Sequence, residues 1–270
     1  MKITKFIAVC CMCVFLIGCE KDGMTAGDPD YWTTSRGQFT VEVPQGAKTV
    51  TMFFLNNGNG TATVTFDGSN PRHWAGESTP TVSVRTYADT IEVPATVNYN
   101  GTSLRVVAVG KEAFMGCDSL KKIVLPESIT SIGEGAFTLC KSLRAYNIPS
   151  GVTELPSCAF SHCSSIDTIA LPAGLTKIGR MAFYGCVSAL LQDVTIPASV
   201  KNIGALAFGS NSNSSIVGYY MKSTTPPALD GALYTAEFAP DGVSVYVPAS
   251  AVAAYQAAPN WKNLTIKADE

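Results

Sequence analysis

The chain has 270 residues, 46% hydrophobic and 15% charged, with 23 glycines and 15 prolines. This composition disfavours a helical protein and favours strands joined by turns. The formal net charge is −2 and no stretch is dense in Lys or Arg, so the sequence gives no support to nucleic-acid binding through phosphate neutralisation.

The first eighteen residues are predicted to be a signal peptide. Lys2 and Lys5 precede an apolar run over residues 6–17, which is shorter than the roughly 20 residues of a membrane-spanning helix. The run ends in Leu16-Ile17-Gly18-Cys19, which resembles the bacterial lipobox. The resemblance implies cleavage before Cys19 and lipidation of its sulfur; an ordinary secretory signal is the alternative.

The residues directly after Cys19 predict a surface location. Glu20-Lys21-Asp22 resembles the short charged signal that directs some Bacteroidetes lipoproteins to the outer face of the outer membrane, and a simple polar tether is the alternative. Cleavage leaves 17 basic and 21 acidic residues, a net charge of −4, and five cysteines besides Cys19. An odd number of cysteines does not describe a complete disulfide framework.

Residues 37–87 are predicted to form an N-terminal β unit after a tether at 19–36. Apolar residues alternate over 39–43, 50–54 and 64–66, and a Gly-rich turn occupies 57–60. The unit is either a separate sandwich-like domain or an enlarged cap on the region after residue 87. Residues 89–101 are predicted to be two strands around a turn, with Asn100-Gly101 as a hairpin signal leading into residues 104–109.

A 23-residue repeat dominates the middle of the chain. Cys117, Cys140, Cys163 and Cys186 are spaced 23 residues apart, and an Ala-Phe pair recurs at the same interval. The shared pattern is AFxxCxxLxxIxLPxxVTxIG, with a two-residue insertion near Ala189 and a divergent fifth unit after Phe208. The predicted structural core comprises Phe114, Phe137, Phe160, Phe183, Phe208 and the four cysteines of this column.

The repeat predicts a stacked solenoid. Ile123 and Leu125 lie two residues apart, as on a strand with one buried face, and Pro126 ends that strand. Ile129 and Ile132 supply the opposite wall, and Gly133 is expected to permit a sharp backbone turn. One coil cannot bury both walls alone, so four to five coils must stack on each other.

This pattern resembles the BspA-like, or Treponema pallidum type, leucine-rich repeats of bacterial surface proteins. The resemblance covers residues 88–225, including an N-terminal cap, and implies a mainly β solenoid with short helical or 3-10 turns. Tyr146 in place of an aliphatic residue and Pro156 in place of Gly depart from it, which predicts irregular curvature. Residues 226–270 resemble the family's C-terminal β/α cap, with a helix over 251–258 that Ser250 is expected to cap.

The sequence predicts no catalysis, cofactor or metal site. The chain has only two histidines, His73 and His162, which is too few for a histidine metal cluster. His162 beside Cys163 suggests a Cys–His nucleophile, but Cys163 is one of four equivalent residues and is better explained as core. Cys158 lies outside the column and is either a free thiol near the surface, which we favour, or a partner for Cys163.

A binding surface is expected on the outward positions between the core residues. The strip of candidate residues comprises Lys121, Lys122, Val124, Arg144, Asn147, Asp167, Thr168, Gln192 and Asp193, and it changes from basic to acidic along the stack. Trp74, in Arg72-His73-Trp74, is a second candidate that could stack on a sugar. A solvated face and a loop anchored to its own core are the alternative explanations.

The predicted function is protein binding and adhesion by a lipid-anchored surface protein of the outer membrane. The resemblance implies a host or bacterial surface protein as partner, with contact to the membrane only through the N-terminal anchor. Glycan capture by the surface lipoprotein and a structural role in the cell envelope are the alternatives.

Overall fold

The structure is a computed structural model that describes residues 37–66, 87–238 and 241–269. Within these residues the chain is mostly β, and the predicted solenoid fold is confirmed. The number of coils was underestimated, because the solenoid has about six turns and not four to five. The strands in chain order are β1 (Gln38–Gln45), β2 (Lys48–Asn56), β3 (Thr61–Thr65), β4 (Asp89–Glu92), β5 (Thr96–Tyr99), β6 (Thr102–Val109), β7 (Leu120–Val124), β8 (Ser131–Ile132), β9 (Glu154–Leu155), β10 (Lys177–Ile178), β11 (Asp193–Ile196), β12 (Asn202–Ile203), β13 (Gly218–Met221), β14 (Ala228–Leu229), β15 (Ser244–Pro248) and β16 (Ile266–Asp269).

The N-terminal strands continue directly into the solenoid. β1, β2 and β3 are antiparallel neighbours, and β3 pairs in parallel with β6. β6 forms an antiparallel hairpin with β5 through Asn100-Gly101, as the hairpin signal indicates. β4 does not pair with β5, however, because it joins β7 in parallel as the first layer of the stack.

Each coil has three sides, and the first is the β7 side. It contains β4 and β7, a single bridge from Lys122 to Ala145, a bridge from Ile169 to Val194, and then β11, β13, β15 and β16 in parallel. Between Ala145 and Ile169 no bridge is formed among the described residues. The parallel strand pairing on the β7 side is therefore divided into two parts, one before and one after this gap.

The second side, called the groove side, contains β8, β9, β10, β12 and β14. β9, β10, β12 and β14 form one parallel sheet, whereas β8 pairs with β6. β8 and β9 do not pair although they are successive layers. Pro156 explains part of this break, since it has no amide hydrogen to donate where Gly133, Gly179 and Gly204 each donate to the coil before them.

The third side, called the Ala-Phe side, is unbroken. The amides of Phe114, Phe137, Phe160 and Phe183 each donate to the Ala carbonyl of the next coil at 2.8 Å. Their rings, together with Phe208, stack with centroids 4.9–5.8 Å apart and planes within 10° of parallel. This stack runs through the core, and all five rings are at most 2% exposed.

The thiols of the cysteine column are also core groups. All four are buried, and the Sγ atoms of Cys140, Cys163 and Cys186 donate to the carbonyl of the Phe in the coil before, at 3.0–3.3 Å. Cys158 is only 6% exposed and packs with Met181 and Tyr184. Like the four cysteines of the column, it forms no disulfide with another described residue, but it is buried and therefore not the surface-near thiol we expected.

A compact end covers the last coil. β13, β15 and β16 extend the β7 side, and helix α1 (Val252–Ala257) packs against β15 and β16. Tyr255 and Trp261 are buried and donate to the carbonyls of Ser223 and Pro227. The predicted cap by Ser250 is wrong, because Ser250 lies in the 3-10 turn Ala249–Ala251 and the helix N-cap is Ala251, which makes no side-chain bond.

Candidate functional site

The residues of the predicted strip all lie on the β7 side. Lys121, Lys122, Arg144, Thr168, Gln192 and Asp193 are exposed, and Val124, Asn147 and Asp167 are half-buried. The structure therefore brings them onto one side, in successive layers. The break between Ala145 and Ile169 falls in the middle of the strip.

Several charges of the strip already have partners within the chain. Lys121 Nζ donates to Asp89 at 2.8 Å, and this hydrogen bond holds the pKa of Asp89 below its ordinary value. Arg144 lies 3.6 Å from Asp167. Both ion pairs are largely exposed, so each stabilises the fold weakly, but each also removes charge that a ligand would need.

The side chain of Asn147 takes the place of backbone pairing between two coils. Its side-chain amide accepts from the Leu125 amide at 2.7 Å and donates to the Leu125 carbonyl at 2.8 Å. These two bonds join neighbouring coils just beyond the end of β7. The polar atoms of Asn147 are therefore engaged in holding the stack together.

Two predicted residues lie outside the described part of the chain. Trp74, with Arg72 and His73, falls within 67–86, and Cys19 falls within 1–36. Their predicted roles stay predictions.

A groove of about 710 Å³ crosses the groove side, and the sequence patterns did not predict it. Its lining comes from five successive layers, from β8 to β14, and includes hydroxyl, charged and apolar groups. The charged residues that line it are Glu154, Lys177, Arg180 and Asp230. Lys111 and Glu134 form an ion pair at 3.3 Å near its N-terminal end.

The floor of the groove is bare because of one repeat position. Gly133, Pro156, Gly179 and Gly204 occupy this position, directly after the inward Ile or Leu of each layer. A Cβ atom added at Gly133, Gly179 or Gly204 would lie 2.4 Å from backbone of the preceding coil. Close stacking therefore requires glycine at these three layers, and Gly179 and Gly204 line the floor of the groove without side chains, next to Pro156.

The role of these glycines differs from the expectation. Gly133 was expected to permit a sharp turn, but none of the three has a positive φ. The left-handed positions of the coils form two other columns, one at Glu112, Gly135, Cys158, Met181 and Leu206 and one at Gly116, Leu139, His162 and Gly185. The signal that could have revealed the groove was therefore the glycine column itself, understood as a row of absent side chains.

A pair of tyrosines on the β7 side was also missed. Tyr220 on β13 and Tyr246 on β15 stack with centroids 4.7 Å apart and planes at 10°. Lys267 Nζ lies 5.8 Å from the Tyr246 centroid, and Lys222 binds Asp269 at 2.7 Å. A Cβ at Gly218 would meet the Asp193 carboxylate at 2.5 Å and the Tyr220 ring at 2.9 Å, so Gly218 lets both lie close together.

Among the described residues, Cys163 is held as a core thiol beside His162. Burial raises the pKa of Cys163, which keeps its thiol protonated and unreactive. Burial lowers the pKa of His162, whose Nδ1 lies 2.9 Å from Ser161 Oγ. Across 37–66, 87–238 and 241–269, no three His, Cys, Asp or Glu side chains are grouped so as to hold a metal ion, and no helix is long and apolar enough to span a membrane.

Comparisons with known proteins agree with the repeat. The model of the BspA type leucine-rich repeat region matches residues 95–216 in six copies. Among solved structures, a Treponema pallidum leucine-rich repeat protein is 24% identical, covers 78% of this chain and 89% of its own, and has a TM-score of 0.49. A leucine-rich repeat protein from Bacteroides ovatus is 18% identical, with coverages of 73% and 69% and a TM-score of 0.40.

A third solved structure, a leucine-rich cell surface protein from Faecalibacterium prausnitzii, is 21% identical. The match covers 78% of this chain and 72% of that chain, with a TM-score of 0.43. No curated protein sequence matches the chain.

Proposed function

Because residues 95–216 are leucine-rich repeats of the BspA type, we propose that the chain is a protein-binding module and that its partner binds in the groove. The observation that carries the proposal is the groove itself, whose lining crosses five layers and includes hydroxyl and charged groups. A small number of polar groups placed around a concave surface fixes the orientation of a bound ligand. The strip on the β7 side is a weaker candidate, since Lys121, Arg144 and Asn147 are already bound within the chain.

The proposal includes display on the cell surface for adhesion. Lipidation at Cys19 would hold the solenoid at the outer membrane, and Glu20-Lys21-Asp22 would direct it outward. Leucine-rich repeats of this family support a surface role. The identity of the partner, a host protein or a protein of another bacterium, is the subject of the experiment.

Glycan binding is a second candidate, supported by the stacked Tyr220–Tyr246 pair. A half-buried aromatic pair beside the Asp193 carboxylate combines an apolar surface with a hydrogen-bond acceptor. Glycan binding that is lost in Tyr220→Ala would favour this candidate over protein binding.

The test compares two lysines on different sides of the same solenoid. The full chain is immobilised and used to capture proteins from host matrix and bacterial surface extracts. We expect Lys177→Glu, on the groove side, to weaken capture at least tenfold, a loss of about 1.4 kcal/mol. The matched variant Lys122→Glu, also exposed but on the β7 side, should capture normally.

The reverse result places the partner on the strip instead. If Lys122→Glu loses capture and Lys177→Glu keeps it, the groove is not the binding site. If no protein is captured by the unmodified chain, the proposed function is wrong.

A further inference from the structure

We infer that the groove binds an extended polypeptide segment in which one acidic residue lies between two basic residues. This inference rests on the proposed function of the groove as a protein-binding site and adds the chemistry of the partner. It is supported by the length of the groove, by its bare floor and by the order of the charges along it.

The length of the groove matches a short extended chain. Its lining runs over the five layers from β8 to β14, and neighbouring layers of a parallel sheet are about 4.8 Å apart. The four intervals therefore span about 19 Å. An extended chain rises about 3.3 Å per residue, so about six residues lie along the groove.

The floor and the walls favour a chain laid along the solenoid axis. Gly179 and Gly204 line the floor without side chains, although both are buried and their amides donate to the coil before them. Pro156 has no amide hydrogen to donate to the Ile132 carbonyl, and the walls add the hydroxyls of Thr130, Ser131 and Ser157. These groups can bond the main chain of an extended polypeptide at the layers of β8 and β9.

The charges change sign twice along the groove. Glu154 lies on β9, Lys177 on β10 with Arg180 just beyond it, and Asp230 just after β14. In the layer between the last two groups the groove is lined by Gly204 and Ala205, and the exposed Lys201 of that layer extends the basic stretch. At the N-terminal end Lys111 and Glu134 neutralise each other at 3.3 Å, so they add no net charge to the pattern.

The complementary segment has the order base, acid, base. Its first basic residue would lie against Glu154 and its acidic residue one layer away, against Lys177 and Arg180. The second basic residue lies two layers farther, about 10 Å or three residues along the extended chain. Charges arranged in this way select a partner more than they raise its affinity.

The experiment uses labelled seven-residue peptides and fluorescence anisotropy with the full chain. One peptide has the base–acid–base order, a second has the inverted acid–base–acid order, and a third places the same two bases and acid in a scrambled order. We expect the first to bind at least tenfold more tightly than the other two at low salt, with the difference decreasing as the ionic strength rises.

A charge reversal provides the matched variant. The combination Glu154→Lys, Lys177→Glu, Arg180→Glu and Asp230→Lys leaves the net charge unchanged, and circular dichroism checks its fold. We expect it to prefer the acid–base–acid peptide, whereas Lys262→Glu, at an exposed residue outside both the groove and the strip, keeps the original preference.

Three outcomes separate this inference from the proposed function. Equal affinities for all three peptides, or an unchanged preference in the reversed variant, would overturn the inference. Loss of protein capture in Lys177→Glu together with equal peptide affinities would leave the groove as the protein site and reject only the charge order. Peptide preference without any captured protein would support the charge order and count against the proposed function.

Discussion

Single residues show how much the repeat alone reveals. The 23-residue spacing places Phe137 and Cys140 on the inside, and both are fully buried. Burial follows from periodicity because the same side chain meets its own copy in the next coil. The role of Gly179 could not be predicted in this way, since it depends on a backbone from a different coil that lies too close for a Cβ.

We expect Gly179→Ala to lower the free energy of unfolding by about 1–3 kcal/mol or more, because its Cβ would meet the Pro156 backbone at 2.4 Å. Denaturant unfolding measures the change. The control is Gly174→Ala in the same coil, where the nearest atom is 3.8 Å from the added Cβ and the change should stay within about 0.5 kcal/mol. Equal effects of the two variants would contradict the close-approach explanation.

At the scale of elements, the two departures from the repeat interrupt the two sheets. Pro156 lies at the break between β8 and β9, and Tyr146 lies at the break between Ala145 and Ile169. The Tyr146 ring packs on Phe160 at 4.8 Å, where other coils have an aliphatic side chain. We call the coil of residues 136–158 the seam. Within the described residues it forms no strand pairing on the groove side with the coil before it and none on the β7 side with the coil after it, so at each interface only the Ala-Phe side and one other side are hydrogen-bonded.

The sequence indicated these departures but not their effect. We expected irregular curvature from Tyr146 and Pro156. In the structure these two residues lie where the strand pairing ends. Strand lengths also could not be predicted, since the pattern is equally clear in coils that form a strand at β7 and in coils that form a single bridge at Ala145. Pairing depends on small differences in coil separation that a local pattern does not contain.

The seam predicts a local difference in amide hydrogen exchange. The amides of Thr130, Thr176 and Lys201 donate to the preceding coil at 2.7–2.9 Å, and no such bond is formed by Thr153 within the described residues. We expect the Thr153 amide to exchange at least tenfold faster than the Thr176 amide. Pro156→Gly restores a donor to the Ile132 carbonyl and should slow exchange at Thr153; similar protection at 153 and 176 in the unmodified chain would show that the seam is closed.

At the scale of the whole molecule, the N-terminal strands and the solenoid share a sheet through β3 and β6. The sequence left open whether residues 37–87 are a separate domain or an enlarged cap. Alternating residues identify strands but not their partners, and the pairing of β3 with β6 joins residues more than forty positions apart. The groove is likewise a property of the stack, because no single coil contains it.

The predicted lipid anchor determines where the whole molecule resides. We expect the full chain to fractionate with membranes and Cys19→Ala to appear in the soluble fraction, since lipid chains on Cys19 would supply the membrane affinity. Cys158→Ala, which removes a thiol buried in the solenoid, should stay with the membranes. Labelling of intact cells with a membrane-impermeant reagent then distinguishes an outward from a periplasmic orientation, and membrane association of Cys19→Ala would reject the anchor.

The cysteine column has a practical consequence for following the opening of the stack. Burial raises the pKa of Cys140 and Cys163, and raises that of Cys186 to about 12, so the folded coils present almost no thiolate to an alkylating reagent. Each of these thiols becomes reactive only when its own layer separates. The alkylation rate of each cysteine, measured by mass spectrometry, would therefore report how fast its own layer opens. No foreign probe has to be introduced into the protein.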